Sequence, residues 1–98
     1  MKLIASKVFS TEIVLERSIT PTLEHLGEYK CVMDLYDLER PGEYGIEWDV
    51  PDLNECVWIG IWVDNNKKVN NYDGVFRLPD EAIELLKENG FDTSYAED

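Results

Sequence analysis

Two carboxylates two residues apart, Glu47 and Asp49, sit in the alternating stretch Tyr44-Gly45-Ile46-Glu47-Trp48-Asp49-Val50. In an extended chain residues i and i+2 share a face, and their backbones stand about 6.7 Å apart, two steps of roughly 3.3 Å. That separation is compatible with the acid and base of a glycoside hydrolase. Any acidic i, i+2 pair on any strand meets the same condition, however, and no neighbouring residue signals the burial that would hold one carboxyl protonated. The pair is therefore read as surface charge.

Other reactive types fare no better. His25, Cys31, Cys56 and one carboxylate would complete a four-ligand zinc set by residue type, but no two of them are spaced as zinc ligands are. Two cysteines are too few for a disulfide framework and are expected as reduced thiols. Asp64-Asn65-Asn66 resembles the start of an EF-hand loop, yet Lys68 stands at the fifth ligand position and Val69 where the turn needs glycine. No serine lies in a nucleophile elbow, and no glycine-rich phosphate or dinucleotide loop is present. No catalytic residue, metal ligand or cofactor is assigned, and His25 is expected at the surface.

The stronger pattern is charge. Nine carboxylates (Asp34, Asp37, Glu39, Glu43, Glu47, Asp49, Asp52, Glu55 and Asp64) face a single base, Arg40, between Asp34 and Asp64. The same third of the chain holds Trp48, Trp58 and Trp62. One reading is a solvated face that keeps the chain soluble and its strand edges apart. The other is a recognition face for a basic protein surface, with Glu43, Glu47, Asp49 and Asp52 supplying the field and Trp58 or Trp62 the anchor. An exposed pair of rings at Trp58 and Trp62, with a shallow gap at Gly60, also suits a stacking ligand such as a sugar. The alternative function is therefore a small ligand-binding or enzymatic domain with a pocket there.

These residues have to be positioned by strands. Alternation predicts strands near 2–9 and 11–19 with a weak break at Ser10-Thr11, then an end at Thr20-Pro21-Thr22. Residues 23–27 read as a loop or one helical turn closed by Gly27, and 28–38 as a third strand. In that strand Tyr29, Cys31, Met33 and Leu35 share one face and Lys30, Val32, Asp34 and Tyr36 the other. Arg40-Pro41-Gly42 is a turn, because proline pre-sets φ and glycine accepts a positive one. Residues 44–50 form a strand with one dry and one acidic face, with Trp48 on the dry side, stopped by Pro51-Asp52. Residues 56–63 are apolar on both parities, the mark of a central strand or of one whose second face meets a partner. A polar turn at 64–68 and a short extended segment to Leu78 follow.

One helix is predicted over 78–91. Pro79 suits its first position, Asp80 and Glu81 place negative charge at the positive end of the helix dipole, and Ala82, Ile83, Leu85 and Leu86 form the apolar stripe. Gly90 and Phe91 end it in a Schellman stop, with Phe91 packing on Leu86. Residues 92–98 are expected as a frayed tail.

The fold class expected is α+β: a mostly antiparallel sheet of five or six strands with one C-terminal α-helix packed on one face, in a single domain over 1–98. A formal charge of −12 and a pI near 4.3 exclude binding to a nucleic-acid backbone, which needs a Lys/Arg footprint. Lys7 interrupts the opening apolar run before a signal sequence could form, and the run at 56–63 is too short to span a membrane. A cytoplasmic monomer or homodimer is expected, acting without catalysis as an interaction module of the inhibitor, immunity or nucleic-acid-mimic type.

Overall fold

A computed structural model describes residues 1–16 and 23–97. Five strands run in chain order across one antiparallel sheet: β1 (Lys2–Glu16), β2 (Leu23–Arg40), β3 (Glu43–Val50), β4 (Glu55–Val63) and β5 (Val69–Asp73). One short helix, α1 (Asp80–Glu88), and two 3-10 turns, Pro51–Leu53 and Ser94–Glu97, complete the described elements. The described residues are thus mostly β, and they form five strands and not six because 2–9 and the start of 11–19, expected as two strands, run together in β1.

The N-terminal break expected at Ser10-Thr11 is absent. Ser10 pairs with Lys30 and Thr11 with Tyr29 inside one continuous strand, since both side chains fit the alternation and neither removes a ladder donor. Gly27 closes no loop. It lies within β2 at φ +101°, beside the register shift between Ile13 and Val14, and so marks an irregularity in the ladder. The expected end at Thr20-Pro21-Thr22 lies outside the described residues.

The remaining turns follow their residues. Pro41 and Gly42 make the β2–β3 reversal, with Gly42 at φ +72° and the Val63 amide donating to its carbonyl at 2.9 Å. Pro51 stops β3 and opens a 3-10 turn that ends on Asn54 in the left-handed region. Asp64 holds the next turn, its carboxylate accepting the amides of Asn66 at 2.8 Å and Lys68 at 3.0 Å.

One parity of the strands builds the core. Met33 and Leu35 on β2, Ile46 on β3, Ile59 and Ile61 on β4 and Val69 on β5 form one buried cluster with Leu78, Ala82, Ile83, Leu85, Leu86 and Phe91. Ala5, Phe9, Tyr44, Trp48 and Tyr72 pack against it. The helix follows its predicted stripe, although Pro79 caps it and does not occupy its first turn. At its end the Phe91 amide donates to the Leu86 carbonyl and the Gly90 amide to that of Lys87, both at 3.1 Å, with Gly90 at φ +86°. That is the pair of hydrogen bonds of a Schellman stop. Residues 92–97, expected as a frayed tail, include the second 3-10 turn, with Thr93 and Ala96 buried. Among the described residues no helix is long and apolar enough to cross a membrane.

Candidate functional site

The strand parity not used by the core gathers the acidic and aromatic residues. On β3 these are Glu43, Gly45, Glu47 and Asp49, and directly opposite them on β4 stand Trp62, Gly60, Trp58 and Cys56. On the other side of β3, Tyr36 faces Gly45, Asp34 faces Glu47 and Val32 faces Asp49. Directly opposed side chains on adjacent strands have Cβ atoms about 5 Å apart, so this register alone brings the groups into contact. Five of the six sequence-predicted binding residues therefore share one face. The sixth, Asp52, is exposed on the 3-10 turn beyond the end of β3.

Two glycines set the aromatic geometry. A Cβ at Gly45 would stand 2.1 Å from Trp58 Cζ2 and 2.4 Å from Cη2, so the indole occupies the space that any side chain at 45 would fill. Trp58 remains 41% exposed. Its ring centroid is 6.2 Å from that of Tyr36 with the planes inclined at 31°, which makes a shallow aromatic floor spanning β2 to β4. Trp62 lies over Gly60 in the same way, at 3.0 Å from the position of a Cβ. The two indoles differ in their polar surroundings. Trp62 Nε1 donates to Glu43 Oε1 at 3.4 Å, and Glu43 Oε2 is held 2.7 Å from Arg40 Nε, so this carboxylate already has its cation.

Around Trp58 the charge is not balanced. Ser6 donates its hydroxyl to Asp34 at 2.6 Å, but among the described residues none of Asp34, Glu47 and Asp49 is in an ion pair. This charge, together with burial, moves the neighbouring pKa values. The carboxylate of Asp49, then partial burial, a hydrogen bond with Asp49 and the charge of Asp34 hold Glu47 above its usual range. Burial first, and then Asp34, Glu47 and Asp49, push the Tyr36 phenol up. The Cys56 thiol is pushed up to about 11, chiefly by its hydrogen bond to Asp49, with burial and the two carboxylate charges adding to it. Every one of these shifts has the sign that uncompensated negative charge imposes.

Ligand atoms of Glu47, Asp49 and Cys56 lie within 4.8 Å of one another. At neutral pH this group offers carboxylates and a protonated thiol, which is a well of negative potential and not a nucleophile. A cavity of about 350 Å³ opens beside it, lined by Val32, Asp49, Pro51, Asn54, Glu55 and Cys56. Neither Trp58 nor Trp62 lines that cavity.

The other sequence candidates stand apart from this face. Cys31 is buried on the opposite side of the sheet from exposed Cys56, so the two cannot share a ligand or a disulfide. His25 pairs by its backbone with Val14 on the hairpin. Trp48 lies on the core side as expected, and its Nε1 is buried without a hydrogen-bond partner among the described residues. Asp34, Tyr36, Gly45 and Cys56 were not singled out as site residues by sequence. The signal that would have found them is register: once Glu47 is paired with Trp58 on β4 and with Asp34 on β2, parity places all four on its face.

Compared with known protein families, with curated proteins and with solved structures, the chain matches none.

Proposed function

We propose that the chain is a non-catalytic interaction module whose acidic, aromatic sheet face binds a basic surface of a partner protein. The observation that carries this reading is the set Asp34, Glu47 and Asp49 around half-exposed Trp58, with no ion pair among the described residues to neutralise it. Neutralising surface charge by an internal Lys or Arg would cost the protein little, and Arg40 does so for Glu43 a few residues away. Leaving the central carboxylates open maintains a field that accelerates encounter with a basic partner and adds specificity once it docks. Trp58 supplies the apolar area that carries binding energy at interface centres. In this account α1 covers the other face of the sheet. The core cluster supports that placement, and so do the ion pairs from Lys7 on β1 to Glu84 at 3.0 Å and Glu88 at 3.4 Å.

The test is capture from a lysate of the source organism on immobilised wild-type protein and on Trp58→Ala. A basic protein retained at low salt, released as salt rises and lost from Trp58→Ala is the expected result. Retention identical on both surfaces, or insensitive to salt, overturns the reading.

A further inference from the structure

Charge alone does not distinguish one basic surface from another, but the arrangement around Trp58 does. The indole lies across Gly45 and remains 41% exposed, Tyr36 extends the same floor, Glu47 stands directly opposite Trp58 and Asp34 directly opposite Glu47. A ligand resting on this floor meets two kinds of recognition at once: a flat π surface beneath it and carboxylates at its rim. An ammonium group uses the first weakly, because it is a compact, strongly hydrated point charge. A guanidinium uses both, since it is planar, stacks on aromatic faces, sheds water readily and donates in a fixed fork to carboxylates. Trp62 lacks this combination, because its neighbouring carboxylate is held by Arg40.

We infer that the Tyr36–Trp58 floor with Asp34 and Glu47 at its rim is a subsite for an arginine side chain presented by the partner. The inference rests on the proposed interaction function and names the chemistry of its central contact. The guanidinium stacks on Trp58 over Gly45, and Glu47 and Asp34 accept from its edge. Occupation supplies the positive charge that the face lacks, and so lowers the mutual repulsion that holds Glu47 above its usual range. Lysines elsewhere on the partner add to the attraction without discriminating.

The experiment is calorimetric titration of the whole chain with two short peptides that differ only in carrying arginine or lysine at alternate positions. Wild type is expected to bind the arginine peptide about tenfold more tightly than the lysine peptide, the gain of one good stacked cation. Trp58→Leu brings the two peptides to parity while leaving salt-dependent binding, and Trp62→Phe preserves the preference. Should Trp58→Leu fail to fold by circular dichroism, Trp58→Phe serves in its place and retains an intermediate preference. Equal affinity of both peptides for wild type, with binding still lost in Glu47→Lys/Asp49→Lys, overturns the arginine subsite and leaves the acidic interface standing. A preference undiminished from wild type in Trp58→Leu, or in Trp58→Phe where it stands in, also overturns it. No binding of either peptide at low salt overturns the subsite and the interface together.

Discussion

Replacing Gly45 by alanine tests whether Trp58 is held flat on the sheet. Alanine is normally the better residue in a strand interior, by about 0.5–1 kcal/mol, because it has less backbone freedom to lose. Here its Cβ would stand 2.1 Å from Trp58 Cζ2, and the indole must tilt away by more than an ångström to reach ordinary contact. The ring is 41% exposed. A tryptophan side chain buries on the order of 200 Å², so roughly 120 Å² is covered in this position and about half of that faces the sheet. Losing some 60 Å² at about 25 cal/mol per Å² costs about 1.5 kcal/mol, and strain in the displaced rotamer adds about 0.5–1 kcal/mol. The net expectation is a destabilisation of about 1–2 kcal/mol, read by urea denaturation with circular dichroism. In a Trp58→Ala background the same substitution has nothing to displace and is neutral or stabilising, so the double-mutant cycle shows a coupling of about 2 kcal/mol. A Gly45→Ala protein more stable than wild type, or additive effects of the two substitutions, would refute the seating of Trp58.

Cys56 is exposed, yet its pKa of about 11 in place of 9.0 leaves about 100-fold fewer thiolates near neutral pH; the more basic thiolate is the better nucleophile and offsets about half of that on a logarithmic scale, so it should react with a disulfide reagent about tenfold more slowly than free cysteine. Asp49→Asn removes the charge of the group that contributes most and speeds the reaction severalfold, whereas equal rates in wild type and variant would show that the carboxylate does not control the thiol. Glu47 is held above 4.5 in the folded chain, chiefly by Asp49, so between 4.5 and that raised value the folded state binds more protons than the unfolded one and stability falls as pH rises. Glu47→Gln should therefore gain on wild type as pH climbs through that window and show no advantage below it; a difference constant with pH contradicts the shift. Gly90 sits at φ +86° with open space where a Cβ would go, so Gly90→Ala loses about 1 kcal/mol through backbone strain alone and Gly90→Asn less, measured by thermal unfolding.

The sequence was most legible where one residue type admits one conformation. Pro41-Gly42, Pro51 and the Gly90-Phe91 stop appear where those residues require them, and the 3.6-residue stripe of α1 and the alternation of β3 place the core correctly. Gly27 shows the limit of the same logic, because its freedom to take a positive φ serves a bulge inside a strand as well as a loop, and only pairing with β1 decides between them. Ser10-Thr11 carries no glycine, proline or asparagine to force a turn, and continuous pairing with β2 overrides so weak a break.

The candidate face was half visible. Parity put Glu47 with Asp49 and Trp58 with Trp62, but their meeting depends on the β3–β4 register, and the role of Gly45 depends on where an indole from the next strand lies. Both are tertiary facts that no local pattern encodes. The same holds for Cys56, whose titration is governed by a carboxylate across the sheet and not by its neighbours in the chain.

The most direct test of the interface places equal charge changes at two locations. Glu47→Lys/Asp49→Lys alters the open face, and Asp80→Lys/Glu81→Lys makes the same net change on α1. The association rate of each with the captured basic partner is then measured across ionic strength. The account predicts a large loss of rate and a flattened salt dependence for the first pair, and near wild-type behaviour for the second. Equal losses from both pairs would mean that only net charge matters, and would contradict a binding face centred on Trp58.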